Sequence, residues 1–140
     1  MEIILIMYEG RCLCGSVKLH VGEISDIICC HCSLCRKASG SAFATNGFVN
    51  ILDFKIISGQ ESVSSFESRP GKFRYFCSRC ASPIYSSNDL DRSRIRIRLG
   101  ILDSDILERP GSHNFVTSKA NWEDLDAVLP RYEKHEPNRA

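Results

Sequence analysis

No stretch of this 140-residue chain is apolar for long enough to cross a bilayer. The longest run, Ile3 to Tyr8, is also too short for the hydrophobic segment of a signal peptide, and Glu2 rather than a basic residue precedes it. Charge of one sign is lacking too. Eighteen Lys and Arg oppose 17 Asp and Glu, so no global field draws the protein to nucleic acid or membrane, and neither is expected as a partner. Internal repeats, low-complexity tracts and linkers are missing, which makes residues 1–140 one expected domain, with a cytoplasmic location.

What the chain has in excess is cysteine, eight in all. A chain of this length buries roughly two-thirds of its surface without covalent help, so disulfides are not required. In a reducing compartment clustered thiols persist, and they are metal ligands more often than bridges. They fall into three groups: "CLC" (Cys12, Cys14), "CCHCSLC" (Cys29, Cys30, Cys32, Cys35) and "CSRC" (Cys77, Cys80). Cys12 and Cys14 sit at the edge of an expected strand, "SVKLHVGE", where a period of two aims both sulfurs to one side. Cys77 and Cys80 follow another, "KFRYF", in a CxxC turn that brings both sulfurs to one point. Together the pairs make a four-cysteine set suited to structural zinc, favoured over copper or an iron–sulfur cluster; buried or redox-active thiols are the alternative.

Cys30, Cys32 and Cys35 offer three thiolates, one short of a closed shell, which is the arrangement of a zinc with an open fourth position. Cys29 would close that shell, but adjacent residues of an extended segment point to opposite sides, so it is read as buried packing. His31 alternates away for the same reason and is read as a surface residue or a support behind the ligands.

The segments "GRCLCGSV", "CHCSLCRKASGSAFA", "FCSRCASPIY" and "HNFVTSKANW" occur in that order, and between about Gly10 and Tyr132 the chain resembles the glutathione-dependent formaldehyde-activating enzyme family, also called the centromere protein V family. The resemblance implies a β-rich fold, a β-tent like that of Rab-binding zinc chaperones. It implies two zincs per chain: a structural one on Cys12, Cys14, Cys77 and Cys80, and a second, on Cys30, Cys32 and Cys35, facing a cleft that takes the thiol of glutathione. The family's named reaction joins glutathione to formaldehyde as S-hydroxymethylglutathione, a carbon–sulfur lyase reaction. A small-molecule thiol or thiol adduct is the expected partner; a non-catalytic, zinc-stabilised binding module is the alternative. Two departures stand out. Ala81 occupies a position where the family usually has glycine at positive φ, at a cost of about 1 kcal/mol. Residues 1–6 precede the usual family start at Met7, and are either an extra edge strand or the product of a mis-assigned start codon.

The rest reads as mainly β. "FKIIS", "SVSSF", "KFRYF", "PIYSS" and "RIRIRLGIL" are short β-branched or aromatic runs between turn residues. One or two short helices are expected. "NWEDLDAVL" has Asn121 as a cap, with Trp122, Leu125 and Leu129 on one face and Pro130 at its end, and "SLCRKAS" would present Cys35 to the metal. In "RIRIRLG", Arg94, Arg96 and Arg98 share a strand face, read as a solvated outer face in preference to an anion-binding stripe. Arg36, Lys37, Ser39 and Gly40 lie beside the second cysteine set and are candidates for holding glutathione, or surface residues. His113 and Lys119 are candidates for proton handling, or a hydrogen-bonded structural residue and a surface charge.

Overall fold

The computed structural model describes residues 7–125, 127–137 and 139. Residues 1–6, and with them the expected extra edge strand, lie outside that set.

Alternating burial dictates the architecture. In β1 (Tyr8–Arg11), β2 (Lys18–Val21) and β5 (Phe54–Ser58), residues such as Tyr8, Leu19 and Val21 point inward while their neighbours face solvent, and the three pair antiparallel in the order β1-β2-β5. A second sheet holds β3 (Ser25–Cys30), β4 (Ala44–Asn50), β6 (Val63–Arg69), β7 (Lys72–Cys77), β8 (Pro83–Asn88), β9 (Asp91–Arg98) and β10 (Ser112–Asn114). Its order is β10-β3-β4-β9-β8-β7-β6, antiparallel except for the parallel pair β10 and β3. The protein is mainly β, with one short α-helix among the described residues.

The main core is an apolar cluster to which both sheets contribute, and a smaller one gathers Cys30, Cys35 and Ala44. Leu19 and Val21 come from the small sheet, Ile27, Val49, Ile84, Ile95 and Ile97 from the large one, and all are buried. Burying each such side chain contributes about 1.5–3 kcal/mol relative to exposure, so this face of the large sheet is committed to stability. Because side chains alternate, the opposite face of the same strands carries Arg94, Arg96, Arg98, Asn46 and Phe48.

The helix α1 (Ser33–Ser39) forms where the sequence predicts it. Cys32 caps its start, its sulfur accepting the Cys35 N–H, and Gly40 ends it at φ 67, a left-handed conformation that costs glycine least. No helix forms among the described residues of "NWEDLDAVL". Asn121, Trp122 and Leu125 lie in turns and the other described ones are irregular, and Trp122 and Leu129 are 68% and 70% exposed. An amphipathic segment of that length needs a surface to bury its apolar face, and among the described residues none covers it.

Candidate metal centres and the adjoining cavity

Two turns of similar construction build the first cluster. Between β1 and β2 the Cys12 N–H donates to Val17 O at 3.0 Å and Gly15 N–H to Cys12 O at 3.0 Å; after β7 the Cys77 N–H donates to Ser82 O at 3.0 Å and Ala81 N–H to Cys77 O at 2.7 Å. Cys12 and Cys14 therefore converge through a turn, not through the strand alternation expected for them. The second turn requires Ala81 at φ 65, in the left-handed region. The four Sγ atoms lie within 4.8 Å of one another, with Cys12–Cys14 at 3.7 Å and Cys14–Cys77 at 3.8 Å. Four sulfurs at about 2.3 Å from a tetrahedral zinc would be about 3.8 Å apart, so the donor set and its spacing fit such an ion. All eight cysteines are free thiols.

Serines tune this cluster. Cys14 Sγ lies 3.1 Å from Ser16 Oγ and Cys80 Sγ 3.2 Å from Ser82 Oγ. The Ser82 hydrogen bond holds the Cys80 thiol down at about 5, and that of Ser16 lowers Cys14, whereas burial pushes Cys77 up to about 11. Neither serine was singled out in the sequence; a serine two residues after the second cysteine of each pair was the available signal.

The second cluster brings together Cys30 at the end of β3, Cys32 at the helix cap and Cys35 in the first turn of α1, again with Sγ atoms within 4.8 Å. Burial pushes Cys30 up to about 12. At Cys32 burial is outweighed by the Cys35 N–H and the neighbouring thiols, and its pKa is lowered. Cys29, one step back along β3, is buried and stands apart from both clusters. His31 is fully buried rather than at the surface, because β10 packs over it: its Nε2 lies 2.9 Å from His113 Nδ1, and Phe43 packs tilted against the His31 ring and edge-on to that of His113. Lys119 donates to the carbonyls of Ala120 and Glu123.

The three thiols open onto a cavity of about 700 Å³ whose floor is the outer face of the large sheet. Strand register arranges that floor in rows. Ile28, Asn46 and Arg98 are paired across β3, β4 and β9, and Phe48, Arg96, Ser86 and Arg74 across β4, β9, β8 and β7. Arg98 donates to Asn46 Oδ1 at 2.6 Å, and the Arg94 guanidinium covers the Phe48 ring at 3.6 Å while bonding Asp91 at 2.5 Å. Arg94 stays exposed, as expected of a solvated face, but Arg96 and Arg98 are half-buried where α1 and the cysteine segment enclose one end of that face. Arg36, Lys37, Ser39 and Gly40 lie on α1 and its cap, and neither they nor His113 and Lys119 line the cavity.

A two-sheet β protein with two cysteine clusters able to hold metal, one of them beside a cavity, is the class that fold and site define. The chain belongs to the glutathione-dependent formaldehyde-activating enzyme family, whose family model matches residues 7–118. It is 27% identical over 131 residues to a Halomonas elongata protein provisionally named a glutathione-dependent formaldehyde-activating enzyme, covering 87% of this chain and 83% of that one. An uncharacterised lyase of Schizosaccharomyces pombe is 32% identical over 79 residues, 56% of each chain. A crystal structure of a Rhodobacter sphaeroides protein shares the fold, with a TM-score of 0.62 and 20% identity, covering 75% of this chain and 98% of that one.

Proposed function

We propose that this protein is a zinc enzyme that binds glutathione by its sulfur at Cys30, Cys32 and Cys35 and joins it to formaldehyde as S-hydroxymethylglutathione, or runs the reverse cleavage. The single observation that carries the reading is a set of three thiols, one short of a closed tetrahedron, facing a cavity of about 700 Å³. A module held together by metal alone has no need of a cysteine set that opens onto a cavity.

Zinc held by those three cysteines would lower the pKa of an incoming thiol and keep it as thiolate, the nucleophilic form. The chemistry balances without a further reagent. A carbon–sulfur bond forms to the aldehyde carbon, the carbonyl π pair moves to oxygen, and that oxygen takes up a proton equivalent to the one the thiol lost. This chain's residues position the reactants: Cys30 and Cys32 fix the metal end from β3 and the helix cap, and the floor of the cavity receives the rest of the tripeptide. Cys12, Cys14, Cys77 and Cys80 would hold the structural zinc of a single domain. Eight free cysteines suit a cytoplasmic setting; among the described residues no helix is long and apolar enough to cross a membrane.

Calorimetric titration of the zinc-loaded protein with glutathione, in buffers of different ionisation enthalpy, tests this reading. Release of a proton on binding is expected, together with a change in visible absorption of the cobalt-substituted protein as a sulfur ligand is added, both lost in Cys32→Ser. Neither signal at millimolar glutathione would overturn the assignment.

A further inference from the structure

The cavity's charge is not explained by a metal-bound thiol. Arg69, Lys72, Arg74, Arg94, Arg96 and Arg98 line it against a single acid, Asp26, in a chain whose net charge is only +1. Ion pairing accounts for Arg94, which bonds Asp91 at 2.5 Å. Among the described residues no carboxylate lies within 4.0 Å of Arg74, Arg96 or Arg98.

Arg74 is the most telling of these. Its Nη1 is buried and has no hydrogen-bond partner. A guanidinium cannot shed its proton, so an unpaired buried donor carries the full desolvation penalty. Burying it near Arg96 adds repulsion to that cost. Register places the two on either side of Ser86, whose side chain shares their face: Arg74 pairs with Ser86 on β8, and Ser86 with Arg96 on β9. Two forked donors flanking a hydroxyl form a cradle for a carboxylate or phosphate. Phe48, in the same row, offers an apolar wall, with the Arg96 guanidinium 4.8 Å from its ring centre.

We propose that Arg74, Ser86 and Arg96 form an oxyanion subsite, so that the ligand of this cavity is a thiol or thiol adduct with a carboxylate or phosphate at its far end. Three strand spacings of about 4.8 Å separate β3, which carries Cys30, from β8, which carries Ser86. Along the strands the two rows lie four residues apart, since Cys30 pairs with Ala44 and the Ser86 row includes Phe48 on β4, which adds about 13 Å. The backbones are thus about 19 Å apart, and allowing for the reach of the side chains the anion sits on the order of 10–15 Å from the sulfur. That span excludes short neutral thiols as the preferred ligand and suits an extended peptide thiol. The subsite rests on the thiol reading for the ligand's identity, but its own evidence is independent of it.

The experiment titrates the zinc-loaded protein with four probes: glutathione, its diethyl ester, S-methylglutathione and inorganic phosphate. Glutathione is expected to bind at least about tenfold more tightly than the diethyl ester, the worth of one charge-assisted contact. Arg74→Gln and Arg96→Gln should erase that difference, Arg96→Lys should keep part of it, and Arg92→Gln, outside the cavity, should leave it intact. Binding of S-methylglutathione or phosphate that depends on Arg74 and Arg96 supports the subsite even if no free thiol binds, an outcome that would remove the thiol reading alone. Phosphate binding more tightly than S-methylglutathione would identify the anion as phosphate. Equal affinity for glutathione and its diester, unchanged in both glutamine variants, overturns the subsite and leaves thiol binding standing. Failure of all four probes to bind overturns both.

Discussion

The backbone N–H of Leu13 donates to Ser82 Oγ at 2.9 Å, so one hydroxyl joins two cysteine turns 69 residues apart in the chain. The same oxygen lies 3.2 Å from Cys80 Sγ, which makes Ser82 both a strut between the turns and a hydrogen-bond partner of a sulfur. Removing such a partner from behind a metal ligand commonly weakens metal binding about 10- to 100-fold. Ser82→Ala should therefore fold, lose about 1 kcal/mol of stability, and surrender its structural metal to a chelator sooner than wild type. A release rate equal to that of wild type would leave Ser82 with no part in the cluster.

The two cysteine sets should differ in what they contribute to folding. Cys12 and Cys14 precede β2 and Cys77 and Cys80 follow β7, so a metal between them fastens the small sheet to the large one. Its binding free energy, on the order of 10 kcal/mol, becomes folding free energy. Cys12→Ser or Cys80→Ser should unfold or aggregate, whereas Cys32→Ser, which touches a helix cap at the cavity, should melt near wild type. Thermal melts that fail to separate the two classes would refute the division of roles.

Elemental analysis of reduced protein should find two zincs per chain, because seven sulfurs fill one closed set and one open set. Cys29→Ser should retain both, since Cys29 is buried on β3 away from the clusters. Loss of a zinc in Cys29→Ser would instead make it the fourth ligand of the cavity site.

The helix over Ser33–Ser39 and the strand over Phe54–Ser58 lie where the sequence placed them because local features determine them: Cys32 and Gly40 cap the first, and the second is a short β-branched and aromatic run bounded by turn residues. β3, "SDIICC", was missed because Ile27 and Cys29 on one face and Cys30 on the other are all buried, which erases the alternation. The arginine stripe exposes a different limit. A period of two shows that Arg94, Arg96 and Arg98 share a face, but whether solvent or a cavity lies over that face depends on where α1 and β3 pack, and those are long-range contacts. The same holds for His31, whose burial is made by β10, some eighty residues away.

Ala81 offers a test of local strain. At φ 65 it sits where an L side chain is disfavoured, and it is exposed, so no packing is lost on substitution. Ala81→Gly should stabilise the protein by about 0.5–1 kcal/mol, the relief of strain being partly offset by the greater freedom of glycine in the unfolded chain. Differential scanning calorimetry of the metal-loaded pair would read this directly; a lower melting temperature for the glycine variant would show that the turn does not strain Ala81.

The last prediction concerns acid. Glu108 accepts from the Tyr8 hydroxyl on β1 at 2.5 Å and from the Ile24 N–H at 2.8 Å, tying the segment after β9 to the small sheet and to the start of β3. Burial pushes its carboxyl up, but these hydrogen bonds outweigh burial and hold it below its ordinary 4.5. A depressed folded-state pKa means that the charged form is stabilised in the native protein. That contribution is present in full above the unfolded value and disappears as pH falls through the folded one. The group is partly solvent-facing, so the effect should be under about 1 kcal/mol. Glu108→Gln should accordingly be less stable than wild type at neutral pH, and the gap should close as pH drops below 4.5. Acid also strips zinc from cysteine, but it does so in both proteins and cancels in the difference. Paired melts from neutral pH down to about pH 3.5 would measure that gap. A gap that stays constant over the whole range would mean that the charge of Glu108 plays no part in holding the two sheets together.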